Sequence, residues 1–171
     1  MVRLWLVAGL AGVTVLAACS PGEGATARAQ APAAAPAPAA RHPVSGLEVI
    51  DLVVERGDRK IPFKVELAAS PEAQARGLMF RTELGDFEGM IFPSGTPQPR
   101  SFWMKNTPLS LDIIFIGPDG RISNIAADTV PYSLEVIPSE GPVSAVLELR
   151  AGRAKALGIA AGDRVSYKLP R

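Results

Sequence analysis

Short runs of branched apolar residues, separated by turn-forming residues, repeat from about residue 45 to the end of the chain. Apolar and polar positions often alternate within these runs, a period typical of strands with one buried face. The pattern predicts strands at residues 47–55, 61–67, 90–92, 101–105, 111–116, 121–126, 134–137, 143–149 and 164–169. The tripeptides at residues 56–58 and 118–120 predict turns that pair the strands on either side of them.

Two short helices are indicated by their end signals. Ser70 is a favourable N-cap, Pro71 suits the first helical position, and Gly77 predicts the end of the helix. A second helix is predicted at residues 153–157, followed by Gly158 as its C-terminal glycine. The sequence therefore predicts a mainly β fold with two short helices, either a compact β-sandwich or a partly closed barrel, as a single domain over residues 45–171.

The amino-terminal end has a different pattern, in which a single basic residue, Arg3, precedes an apolar run that ends at residue 18. This order and length are typical of an export signal. The run ends in LAAC at residues 16–19, which resembles a bacterial lipobox, and Cys19 is the only cysteine in the chain. We therefore predict a signal peptide at residues 1–18 and lipidation of Cys19 with acyl chains such as palmitate.

Alanine and proline dominate the segment that follows, and this segment has no large apolar side chain until residue 44. Such a composition predicts that residues 19–44 form a lipidated cysteine followed by a disordered tether. The expected location is the periplasmic side of the cell envelope, with the protein attached to a membrane through Cys19. Ser20, in place of an inner-membrane retention aspartate, favours the outer membrane in a Gram-negative organism.

Charge and composition limit the chemistry of the domain. Loss of Arg3 with the signal peptide would leave 17 basic and 17 acidic residues, so no excess positive charge favours nucleic acid. The predicted domain has no cysteine and no histidine, because His42 lies in the predicted tether. We therefore expect no thiol nucleophile, no Ser-His-Asp triad, no metal site and no cofactor.

Several motifs occur in one order along the domain. They are RGLMFR at residues 76–81, GMIF at 89–92, FWMKNT at 102–107, LDIIFI at 111–116, VLEL at 146–149 and GD at 162–163. In this order they resemble the bacterial and archaeal domain family DUF192, over about residues 61–165. The resemblance implies a compact β-rich domain, often secreted or lipid-anchored, and brings no established activity, substrate or cofactor.

Two carboxylates lie within apolar strands. Alternation places Asp112 on the same strand face as two isoleucines, and Glu148 on the face opposite two leucines. Buried carboxylates need cations or hydrogen-bond donors, or their pKa rises. With the basic, amide and indole side chains of the neighbouring motifs they form a candidate ligand-binding set. Its members are Arg76, Arg81, Trp103, Lys105, Asn106, Asp112 and Glu148.

Two interpretations of this set remain open at the level of sequence. In the structural one, the two acids pair with Arg76 and Arg81 and fasten helix to sheet, while Asn106 shapes a turn. In the functional one, the set lines a pocket of a non-catalytic binding or accessory module for a small polar ligand, a glycan or an envelope protein. The alternative function is a hydrolase of envelope saccharides that uses Asp112 and Glu148 as acid and base.

Overall fold

The computed structural model describes residues 40–170. The predicted signal peptide, Cys19 and most of the predicted tether lie outside the described residues. The elements are β1 (Val49–Arg56), β2 (Arg59–Leu67), α1 (Pro71–Arg76), β3 (Glu88–Phe102), β4 (Leu111–Ile116), β5 (Ile122–Ala126), β6 (Ile137–Arg150), α2 (Arg153–Leu157) and β7 (Arg164–Tyr167). The prediction of a mainly β domain with two short helices is confirmed.

All seven strands form one curled sheet in the order β5-β4-β6-β3-β2-β1-β7. The pairs are antiparallel except β2 with β3, which run parallel. At one end the two edge strands meet, since the Ile122 N–H donates to the Asp163 carbonyl at 2.9 Å and the Val165 N–H donates to the Gly120 carbonyl at 2.8 Å. The sheet is thus a half-barrel, the partly closed alternative of the prediction.

Strand alternation divides the buried side chains between the two faces of the sheet. The inner face carries a core that includes Leu52, Phe63, Ile114 and Leu147. The outer face carries a second core, whose buried members include Met90, Leu78, Met104, Phe92, Ile113 and Phe115. Strand β4 is buried along its whole length because it contributes to both cores. The outer core is the one that bears on the candidate site, because α1 and the neighbouring loops lie over it.

Several predicted strands have different bounds in the structure. Residues 90–92 and part of 101–105 belong to one strand, β3, which stays continuous through shifts of register between Pro93 and Gln98 and between Pro99 and Ser101. Of the predicted strand at residues 134–137, only the last residue belongs to β6. The sequence did not predict that β3 is one continuous strand, because its prolines cannot donate the ladder hydrogen bonds that a strand pattern implies.

The described domain begins before the predicted boundary at residue 45. The Val49 N–H donates to the Ala40 carbonyl at 2.7 Å, and Arg41 forms a bridge with Glu48. His42 is partly buried, and its Nε2 lies 3.7 Å from the Glu66 carboxylate. Residues 40–44, which composition assigned to the tether, therefore pack against the domain as part of it.

Candidate ligand-binding site

A cavity of about 210 Å³ opens between α1, the end of β3 and the last residues of β6. Its polar and aromatic lining includes Gln74, Arg76, Arg100, Trp103, Lys105, Thr107 and Glu148. Four of the seven side chains singled out from sequence line this cavity. They are Arg76, Trp103, Lys105 and Glu148.

Glu148 is the buried acidic residue of this cavity. It projects from β6 between its cross-strand neighbours Met90 and Ile113, both buried in the outer core. Its residue surface is only 5% exposed, and Oε2 has no hydrogen-bond partner among the described residues. Burial raises the pKa of Glu148 to about 8. At neutral pH the side chain is therefore mainly a neutral carboxylic acid that can donate a hydrogen bond.

Three cationic side chains surround the same cavity. Within residues 40–170, none of Arg76, Arg100 and Lys105 forms an ion pair with a carboxylate. The Lys105 ammonium lies 5.1 Å from the centre of the Trp103 ring, a cation-π contact that holds it at the mouth. The cavity therefore combines three positive charges with one neutral acid.

Arg100 is the cavity residue that the sequence analysis missed. Its guanidinium donates to Ser94 Oγ at 3.0 Å and to Gln74 Oε1 at 3.2 Å, and it lies 5.5 Å from the centre of the Phe102 ring. Partial burial lowers its pKa, but a guanidinium stays charged at neutral pH. The one sequence signal that could have identified Arg100 is its position two residues before the FWMKNT motif.

Helix α1 is held in place over the outer core by its ends and by one glutamine. Ser70 Oγ accepts a hydrogen bond from the Ala73 N–H at 3.2 Å, as the sequence predicted for an N-cap. Gly77 ends the helix with φ +50°, a conformation that favours glycine. Gln74 Nε2 donates to the Pro93 carbonyl of β3 at 2.9 Å. These contacts place Arg76, in the last turn, beside the cavity.

The loops next to the cavity contain non-glycine residues with left-handed backbones. Phe80, Asn106 and Tyr132 have φ values of 64°, 55° and 61°. The Phe80 N–H donates to the Asn106 carbonyl at 2.8 Å, and the Tyr132 N–H donates to the Thr107 carbonyl at 3.1 Å. Residues in this region are uncommon and cost conformational energy, and such strain concentrates at functional sites. The three loops thus form a joined rim beside Trp103 and Lys105.

Asp112 does not belong to the cavity. Its side chain is on the opposite face of the sheet from Glu148, because residue 112 is paired with Leu149 and residue 113 with Glu148. Asp112 is fully buried, and its carboxylate accepts backbone hydrogen bonds from Asp128 at 3.0 Å, Gly152 at 3.1 Å and Ala154 at 2.8 Å. Asp112 and Glu148 therefore do not face each other across one cleft, as the alternative hydrolase hypothesis required.

Arg81 also has another role than the sequence suggested. Its Nη1 donates to Glu66 Oε1 at 2.6 Å, and both side chains are buried. Ser45 Oγ donates to the second oxygen of Glu66, and His42 Nε2 lies 3.2 Å from Arg81 Nη2. The structural interpretation, in which Arg76 and Arg81 pair with Asp112 and Glu148, is wrong. Within residues 40–170, Arg81 pairs with Glu66 and Arg76 forms no ion pair.

Asn106 is next to the cavity but outside its lining. Its side-chain amide nitrogen lies 3.9 Å from the Met79 sulfur. Its backbone carbonyl accepts the hydrogen bond from the Phe80 N–H. The expectation that Asn106 shapes a turn agrees with its left-handed backbone. Asn106 therefore affects the cavity through the shape of the rim.

Residues 40–170 contain no cluster of three or more His, Cys, Asp or Glu side chains arranged to hold a metal ion. In the same part of the chain, no helix has the length and hydropathy needed to cross a bilayer.

A family model for DUF192, described as an uncharacterized ACR family, matches residues 52–167. The chain belongs to the DUF192 family. The match covers more than half of the chain and confirms the resemblance drawn from its motifs. No curated protein sequence matches this DUF192 chain.

Two solved structures are similar to this DUF192 domain. One is a protein of unknown function from Novosphingobium aromaticivorans, with 50% sequence identity, a TM-score of 0.73, and coverage of 77% of this chain and 94% of that one. The other, from Sinorhizobium meliloti, is provisionally described as a transcription regulator. It has 39% identity and a TM-score of 0.69, and the match covers 71% of this chain and 95% of that one.

Proposed function

We propose that this DUF192 protein is a lipid-anchored envelope lipoprotein whose domain binds a small polar ligand in the Glu148 cavity. The observation that carries the proposal is the buried Glu148 carboxyl, which lines an open cavity with one oxygen unpartnered among the described residues. Unsatisfied buried polar groups cost free energy, so native proteins seldom keep one without a role. A ligand that accepts a hydrogen bond from this carboxyl would reduce the cost.

The shape and lining of the cavity support a small ligand. Its volume of about 210 Å³ equals the liquid volume of about seven waters, on the order of one sugar ring. Trp103 is 47% exposed and offers an apolar ring face, while Thr107 and Gln74 add neutral hydrogen-bonding groups. A few polar groups converging on a partly aromatic pocket are typical of small-molecule sites.

Binding is favoured over catalysis by the separation of the two acids. Asp112 is bound by three backbone amides on the other face of the sheet, so Glu148 has no carboxylate partner among the described residues that line the cavity. A general acid alone, without a base or nucleophile beside it, is a poor basis for hydrolysis of a glycosidic bond.

The envelope location is supported by sequence. The apolar run ending in LAAC at residues 16–19 has the order of an export signal and a lipobox, and Cys19 is the single cysteine. Two or three acyl chains on this residue would anchor the protein stably, since each buried CH₂ contributes about 0.8 kcal/mol. The described domain would then bind its ligand on the exported side of the membrane.

A thermal-shift panel tests the binding function on residues 20–171, which retain the whole described domain. The panel contains neutral sugars, sugar acids, sugar phosphates, hydroxy acids and amino acids. We expect at least one compound to raise the Tm, because a ligand that binds only the folded state stabilises it. Trp103→Ala should abolish the shift, whereas Phe87→Ala, which removes an aromatic of similar exposure outside the cavity, should keep it. A panel without any shift, or equal shifts in Trp103→Ala, would contradict the proposal.

A further inference from the structure

The charges around the cavity go beyond what a neutral polar ligand requires. Arg76, Arg100 and Lys105 line it, and Glu148 is the single acidic residue of its lining among the described residues. The whole chain has a net charge of only +1, so this concentration of cations is local. Preorganised cations without nearby counter-charges favour an anionic ligand.

Two of the three cations are held in place before any ligand arrives. The Arg100 guanidinium is fixed by Ser94 and Gln74, and the Lys105 ammonium is held over Trp103. Held cations lose less conformational entropy when an anion binds than freely rotating ones do. The remaining N–H groups of Arg100 are planar donors suited to carboxylate or phosphate oxygens.

Glu148 differs from the three cations in its burial and in its chemistry. It lines the same cavity as the cations and is buried between Met90 and Ile113, where a negative charge would be poorly solvated. As a neutral acid, it donates a hydrogen bond to an uncharged oxygen and does not repel a nearby anion. The site therefore has a donor for a hydroxyl or carbonyl oxygen next to three charges for an oxyanion.

We infer that the Glu148 cavity takes an anionic molecule of about the size of one sugar ring. Its carboxylate or phosphate would bind to Arg76, Arg100 and Lys105, and a neutral oxygen of the same molecule would accept a hydrogen bond from Glu148. Sugar acids and sugar phosphates share this chemistry, with a ring face that can stack on Trp103. The inference rests on the proposed binding function and names the class of ligand for the same site.

Calorimetric titration of residues 20–171 with glucuronate, glucose 6-phosphate and glucose tests the inference. We expect at least one of the two anions to bind at least tenfold more tightly than glucose and to weaken with added salt. A preference between the anions would identify the charged group. Arg76→Gln should weaken anion binding several-fold, whereas Arg59→Gln, which removes an exposed cation outside the cavity, should not.

The role of Glu148 is tested by pH. Ionisation of this side chain between pH 7 and 9 would remove the donor and place a negative charge beside the ligand. We expect the affinity of the unaltered domain to fall several-fold over this range, and that of Glu148→Gln, which keeps a neutral donor, to stay constant.

The outcomes separate this inference from the proposed function. Glucose binding as tightly as both anions would overturn the anionic class and leave the binding function in place. Absence of binding by all three compounds would also overturn the inference, while the binding function would depend on the wider panel. Equal pH dependence in Glu148→Gln would overturn the assigned role of the carboxyl.

Discussion

The Asp112 carboxylate on β4 holds the first turn of α2, because its Oδ2 accepts a hydrogen bond from the Ala154 N–H at 2.8 Å. The preceding helix cap, Gly152, has no side chain to do this, and its own N–H donates to the other oxygen of Asp112. A strand residue thus serves as the cap of a helix about forty positions later in the chain. This relationship explains why an acid is tolerated within a fully buried strand.

Replacement of Asp112 should destabilise the domain. Asp112→Ala would leave the buried N–H group of Ala154 and the partly buried N–H groups of Asp128 and Gly152 without their acceptor, at a cost of about 2–4 kcal/mol in the free energy of unfolding. Urea unfolding followed by circular dichroism measures this change. Asp51→Ala, at an exposed position on β1, is the control and should change the free energy by less than about 1 kcal/mol. Equal stability of the two variants would contradict the capping role.

Glu148 should make the domain less stable as the pH rises. Its pKa is raised in the folded state from 4.5 to about 8, so the folded protein binds more protons than the unfolded chain between these values. The free energy of unfolding should therefore fall by roughly 1 kcal/mol per pH unit across this window and level off above pH 8.

Chemical unfolding from pH 5 to pH 9 checks this dependence. Glu148→Gln removes the titrating group and keeps a polar side chain of similar size, so its stability should vary much less over the same range. Stability profiles that stay parallel in the two proteins would show that Glu148 is not the group responsible.

The buried ion pair of Glu66 and Arg81 should be costly to break from one side. Glu66→Gln or Arg81→Met leaves a buried charge or donor without its partner, and we expect a loss of about 3–5 kcal/mol for removal of one partner. The double variant Glu66→Met/Arg81→Met removes both charges and should be more stable than at least one single variant. A double-mutant cycle of unfolding free energies measures the coupling, and strictly additive losses would contradict it.

The sequence predicted local structure well where the signal is local. The cap at Ser70, the end of α1 at Gly77 and the buried strand β4 depend on neighbouring residues, and the structure has all three where the pattern put them. The faces of β4 and β6 also followed from alternation, which correctly separated Asp112 from Leu111 and Glu148 from Leu147.

Pairings between distant segments could not be predicted in the same way. Alternation gives the face of a residue within its own strand, but the relative orientation of two strands depends on their register. Thus Asp112 and Glu148 looked like members of one site, although their pairing partners place them on opposite faces. Arg100 was missed for a related reason, since its neighbours Ser94 and Gln74 come together through the bulged end of β3 and helix α1.

Removal of the segment before β1 should weaken the domain. A chain that starts at residue 48 would lack the backbone bond between Ala40 and Val49, and the contacts of His42 and Ser45 with Glu66. We expect it to lose about 2 kcal/mol relative to a chain that starts at residue 40, because these contacts cover a buried ion pair. Thermal unfolding of the two chains checks this, and equal Tm values would show that the segment contributes no stability.

Cys19 should determine membrane attachment in the proposed lipoprotein. Cys19→Ala removes the thiol that would carry the lipid, so the protein should move from the membrane fraction to the soluble fraction of cells that process lipoproteins. Metabolic labelling with a palmitate analogue should mark the unaltered protein and not the variant. Ser20→Asp is a useful second variant, because it leaves Cys19 in place. It should shift the protein from the outer to the inner membrane of a Gram-negative host. Membrane association that persists in Cys19→Ala after loss of the first 18 residues would rule out the lipid anchor.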